Sequence, residues 1–155
     1  MGVTAIQDLY PDDLAHCFGC GRHNSHGHQL KSYLEGEDVI ARFTPGDHDV
    51  SLPGFVYGGL LASLADCHAM ATATAADVKS SVDAAPRYVT ASLRVDYLKP
   101  TRLGIELEIR GRVTEGSPRK KIVAVTISAA GTITVRAEVV AVRMPKEMEA
   151  APEAP

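Results

Sequence analysis

The sequence predicts an α+β fold: an antiparallel sheet wrapped around one long central helix. Two observations carry this. Between residues 50 and 76 the only formal charge is Asp66, and the segment is dense in Ala, with Leu60, Leu61, Leu64 and Cys67 at helical spacing. Around it lie six short runs of β-forming residues, two before and four after, separated by Gly- and Pro-containing breaks. A helix apolar on nearly all sides has to be covered, and the sheet is what is available to cover it.

The elements follow in order. Residues 29–34 and 38–44 read as two strands joined by Glu35-Gly36-Glu37, a turn with Gly in it. The helix is expected over 58–77, opened by Gly58-Gly59 with no strong capping side chain ahead of it. The later strands are expected at 87–98, 104–114, 120–129 and 132–143. In the second of these, Ile105, Leu107 and Ile109 alternate with Glu106, Glu108 and Arg110, so one face is wet. Residues 1–144 form one domain in this reading, with a Cys/His-rich segment, 1–28, packed on it and a short helix starting at Pro11-Asp12-Asp13. The tail from 145 to 155 is Pro, Ala and Glu and is expected to be disordered. Long twisted strands in a single sheet leave an open edge, which favours dimerisation.

Composition excludes several functions. The 155 residues are 45% hydrophobic and 23% charged, an ordinary globular balance. The net charge of −3 argues against a nucleic-acid wrapper. Residues 1–10 show no basic start followed by an apolar run, and the three cysteines are an odd number, so a reducing cytoplasm is expected rather than a disulfide framework. The apolar stretch around Asp66 is too rich in small residues, and holds an acid at its middle, so a membrane span is not expected.

Asp66 is the most informative residue. A mid-helix carboxylate among Ala62, Ser63, Ala69 and Met70 costs several kcal/mol unless it is paired or protonated. It is either a general base or nucleophile in a small-walled pocket, or an acid satisfied by a distant Arg or by solvent. Gly58-Gly59 would let a ligand approach backbone N–H groups at the helix start, where a carbonyl oxygen is polarised. Asp66 lies on the same side as Gly59 but about 10 Å further along the axis. If both touch one ligand, the acid comes from another subunit.

Cys17 and Cys20 form a Cys-x-x-Cys pair with His16, His23, His26 and His28 nearby, enough ligands for a zinc-stabilised interaction module. With no second Cys-x-x-Cys and no regular His spacing, the expectation is no metal and no cofactor. Cys67 reads as a core residue and His68 as a packing histidine on a different helix face from Asp66.

The run Pro53-Gly54-Phe55-Val56-Tyr57-Gly58-Gly59-Leu60-Leu61-Ala62-Ser63-Leu64-Ala65-Asp66 resembles the signature of hotdog-fold acyl-CoA thioesterases, in the phenylacetyl-CoA and hydroxybenzoyl-CoA branch. Cys17-Phe18-Gly19-Cys20-Gly21 with Asn24 and Gly27, and Ser92-Leu93-Arg94-Val95-Asp96-Tyr97-Leu98-Lys99-Pro100, are similar to two further segments of that family. The resemblance implies hydrolysis of an acyl-CoA to free acid and CoA by a homodimer or a dimer of dimers, CoA entering only as part of the substrate. It makes Asp66 the nucleophile or general base and the Gly59 amide the group that polarises the thioester carbonyl. Tyr57 stands where the family carries His. Ser51 lies near a loop position that holds water or substrate, and Met70 where a hydroxyl residue is common. Gly58, Ser51, Ser63 and Met70 are then expected at the substrate, and Lys99, Arg102, Arg119 and Lys120 at the phosphates of CoA. The alternative is a hotdog protein that binds acyl-CoA without hydrolysing it.

Overall fold

The computed structural model describes residues 4–78 and 85–149. The chain runs through β1 (Ser32–Glu35), β2 (Asp38–Phe43), α1 (Gly58–Val78), β3 (Tyr88–Tyr97), β4 (Leu107–Gly116), β5 (Lys120–Ala129) and β6 (Thr132–Arg143). The strands form one six-stranded sheet in the order β1-β2-β4-β5-β6-β3, antiparallel at every pairing. β3 leaves the helix and returns to the far edge, beside β6, so the sheet encloses α1 from both sides.

The sheet's concave face supplies Ala41, Leu107, Ile109, Val123, Val125, Ile127, Val135 and Val139, and the helix supplies Leu60, Leu61, Leu64, Ala65, Ala69, Met70 and Ala73, all buried in one core. A fully buried Leu, Ile or Val contributes about 1.5–3 kcal/mol. The small helix residues bring α1 close to the sheet. At Gly111 of β4 the approach is close enough that a Cβ would fall 2.2 Å from the Thr72 hydroxyl.

The helix is pinned at two levels. At its C-terminal end Asp77 takes a hydrogen bond from the Tyr88 hydroxyl (2.6 Å) and ion pairs from Lys121 (2.9 Å) and Arg143 (3.1 Å). Against the burial that would raise it, these partners hold its carboxyl below the ordinary value. In the middle, His68 is fully buried, its Nε2–H donating to the Val39 carbonyl (2.8 Å) and its Nδ1 accepting from Ser32 (2.9 Å). Ser32 is held in turn by both ends of the Gln7 side chain. The N-terminal segment thereby reaches the helix, with Ile6 and Tyr10 buried against Ala71 and Ala75.

Several boundaries differ from the sequence reading. β1 begins at Ser32 because Gln29 has φ 51° and the Leu30 amide bonds to Gly19 rather than to a strand. β4 begins at Leu107 because Gly104, at φ 76°, still belongs to a turn. Ile6–Leu9 forms a 3₁₀ turn that the sequence did not signal. The tail expected to be disordered from 145 contains a 3₁₀ turn at Lys146–Met148, closed by the Met148 amide on the Pro145 carbonyl; residues 150–155 lie outside the described residues.

Candidate active site

The first locus is the turn into α1. The Val56 amide bonds to Thr101 and the Tyr57 amide to Asp49, which fixes the entry to the helix. The Leu60 and Leu61 amides both donate to the Tyr57 carbonyl. The amides of Gly58 and Gly59 come before these bonds and find no acceptor among the described residues. Tyr97 donates from its hydroxyl to the Gly58 carbonyl at 2.7 Å. Burial, and then the neighbouring Tyr57, push that hydroxyl's pKa up, so it stays a donor. Tyr57 is 57% exposed and its ring lies on Gly59, where a Cβ would meet it at 2.5 Å. A cavity of about 430 Å³ opens here between Ser51, Gly58, Leu61, Tyr97 and Lys99. Three expected substrate or CoA contacts, Ser51, Gly58 and Lys99, are thus brought together.

The second locus surrounds Asp66. Its side chain is half-buried and accepts a hydrogen bond from the Thr90 hydroxyl of β3. Among the described residues no cation forms an ion pair with it, although Arg87 lines the same cavity. A cavity of about 150 Å³ holds Asp66 with Cys17, Cys67, Met70, Arg87 and Thr90. Burial pushes the Asp66 carboxyl above its ordinary range; the Thr90 hydrogen bond opposes this, Cys17 adds to it and Arg87 opposes it. Such a carboxyl is a stronger base than an exposed one. Met70 is at this locus as expected, whereas Ser63 points to Gly19 in the N-terminal segment.

The two loci do not meet within one chain. Gly59 and Asp66 are about 10 Å apart along the helix, and their cavities abut opposite ends of β3, at Tyr97 and at Thr90. The basic residues divide in the same way. Arg102 lies near the turn, its guanidinium 5.4 Å from the Phe55 ring centre. Arg119 and Lys120 border a groove with Arg143 and Lys146 at the other end of the strands. Lys120 pairs with Val142, while the Lys99 amide bonds to Thr134, so roughly 25 Å of β6 separates the two groups.

Sequence reasoning missed Thr90, Arg87 and Tyr97, which reach the site only because β3 crosses the helix. A Thr between two hydrophobic residues carries no local signal of an acid partner.

A family model for the thioesterase superfamily matches residues 53–135, the stretch holding Gly58, Gly59, Asp66 and Thr90. No curated protein matches the chain. Among solved structures, a thioesterase superfamily protein from Shewanella loihica PV-4 is 42% identical, covers 88% of this chain and 100% of its own, and superposes with a TM-score of 0.67. A Streptococcus mutans UA159 protein bound to acetyl CoA is 24% identical over 76% of this chain and 90% of its own, at TM-score 0.61. The E. coli PaaI protein from the phenylacetic acid degradation operon shares the fold at 14% identity, 76% and 81% coverage and TM-score 0.65. The single enclosed helix, the six-stranded antiparallel sheet and the matched segment agree: this chain is a hotdog-fold member of the thioesterase superfamily.

Proposed function

We propose that this protein hydrolyses an acyl-CoA thioester at a site shared by two subunits. The observation that carries the reading is Asp66: a half-buried carboxyl with no ion-pair partner among the described residues, in a cavity beneath an open sheet edge. β3 has a strand on one side only, and Leu93, Tyr97 and Leu98 are exposed there. Antiparallel pairing of β3 with its copy, about a two-fold near Leu93 and Arg94, would set Thr90 of one chain against Tyr97 of the other. Each Asp66 would then reach the partner's Gly59 turn. The solved relative bound to acetyl CoA supports the substrate class.

In this mechanism the Gly59 amide donates to the thioester carbonyl oxygen and stabilises the charge that grows on it. The Asp66 carboxylate attacks the acyl carbon, or takes a proton from a water that does. The C–S bond breaks and CoA leaves as a thiolate; after direct attack, water then cleaves the acyl–Asp66 anhydride, and on either route the acyl group departs as the free acid. Tyr57, beside Gly59, offers a hydroxyl donor where relatives offer imidazole. Lys99 and Arg102 take CoA phosphates at the turn. The same two-fold would bring the partner's Arg119 and Lys120 to that side. Met70 borders the acyl end, and Ser51 and Gly58 the mouth. No helix among the described residues is long and apolar enough to cross a membrane, which is compatible with action in the cytoplasm.

Tyr57 favours a second reading, acyl-CoA binding without turnover, because a phenol reaches further than an imidazole. Thiol release from short, medium, long and aromatic acyl-CoAs separates the two. Release supports hydrolysis and names the acyl class. Binding of an acyl-CoA with no release from any of them supports the second reading.

A further inference from the structure

Three cysteines from two distant segments converge. Cys17 and Cys20 come from the N-terminal segment and Cys67 from α1, and their Sγ atoms all lie within 4.8 Å of one another. Cys17 and Cys67 are 3.7 Å apart, and all three are unbridged. The turn that carries the first two is shaped around sulfur. The Gly21 amide closes it on the Cys17 carbonyl at 2.7 Å. Gly19 sits so close over Cys67 that a Cβ there would fall 2.2 Å from its Sγ. Apolar packing explains the burial of Cys67, but not three sulfurs meeting tip to tip beside a cavity.

We propose that Cys17, Cys20 and Cys67 form a thiolate site for one thiophilic cation, zinc(II) or copper(I), with its open side on the cavity that Asp66 shares. A metal–sulfur distance of about 2.3 Å in tetrahedral geometry sets sulfurs about 3.8 Å apart, the spacing Cys17 and Cys67 already have. A disulfide would need about 2.05 Å and would leave the third sulfur over. Both cations favour thiolate ligands. Arg87, on the same cavity, offsets the negative charge of three thiolates. Two of the histidines that the sequence offered as ligands are engaged elsewhere: His23 bonds to Asp12 at 2.9 Å, and His28 packs edge-on to Phe18. The third ligand is Cys67, the residue read from sequence as core. On binding, each coordinated thiol loses its proton to solvent and a metal–sulfur bond forms. No electron is transferred, and affinity rises with pH. The site does not depend on the hydrolysis reading, and its test needs no turnover.

The full-length chain, reduced and stripped of metal, is titrated with zinc(II) and with copper(I) against a chelator of known affinity. Cobalt(II) serves as the optical probe. The expected result is one equivalent per chain and the charge-transfer absorption of thiolate-bound cobalt. Cys67→Ser and Cys20→Ser should each weaken binding by at least about 100-fold, the upper end of what the loss of an outer-shell partner costs. His23→Ala should bind as wild type does. Substoichiometric binding by the folded, reduced wild type overturns the proposal. So does equal affinity in the wild type and whichever cysteine variants fold.

Discussion

His68 gives the fold a built-in sensitivity to acid. Full burial, opposed only by its bond to the Val39 carbonyl, pulls its pKa from 6.5 down to about 4. The imidazole has no room for a second proton. Nε2–H already donates to Val39, and Nδ1 receives the Ser32 hydroxyl, whose oxygen receives Gln7. Protonating Nδ1 would turn two donors on each other. The folded pKa lies below the unfolded one, so between these values the unfolded chain binds the extra proton, and stability falls as pH drops. Linkage with these two pKa values gives a loss of about 2 kcal/mol between about pH 7 and pH 5, approaching about 3 kcal/mol at pH 4. His68→Gln removes the titrating group. Its absolute stability drops, because Gln cannot span Ser32 and Val39 as the ring does, but the pH dependence is what matters. Urea unfolding of both proteins at fixed protein concentration measures it. The wild type should lose about 2 kcal/mol more than the variant between about pH 7 and pH 5. Parallel pH profiles would refute the reasoning, as would an imidazole titrating near its ordinary value in the folded chain.

Two further outcomes follow from the site. Thr90→Val removes the hydroxyl that favours ionised Asp66, so its carboxyl should climb further. Because the carboxylate is the working form, the rising limb of the pH–rate profile should move up by about half to one pH unit; an unmoved limb would separate Thr90 from the chemistry. Leu93→Lys sets two charges face to face across the proposed two-fold. It should raise the dimer dissociation constant by at least about 10-fold, with turnover lost in parallel as sedimentation shows monomer. A monomer with full turnover would sink the shared site.

Local pattern carried most of the fold. β5 and β6 fall where alternation placed them because Ala130 and Gly131, both at positive φ, make the break between them sharp. The helix was legible from alanine density and from the burial its composition demanded. His68 as a packing residue was legible from its face of the helix. The site was legible only along the chain. Gly58, Gly59 and Asp66 stand within one helix, so spacing related them. Thr90, Arg87 and Tyr97 join them through the crossover that carries β3 to the far edge, and no local periodicity encodes that. Cys67 lies 50 residues beyond Cys17, with nothing in its own neighbourhood to mark a sulfur partner. Lys99 and Arg119 both looked like phosphate contacts because each is a basic turn residue; only the register of β6 shows them to be at opposite ends.

The central claim is that Asp66 does the chemistry, and Asp66→Asn tests it most directly. The amide is nearly isosteric, can still accept from Thr90, and cannot act as nucleophile or base. Thiol release from the best acyl-CoA substrate should fall by at least about 100-fold, at the lower end of what general acid–base catalysis supplies, with thermal stability and acyl-CoA binding retained. Turnover within a few-fold of wild type in a folded Asp66→Asn protein would contradict the account.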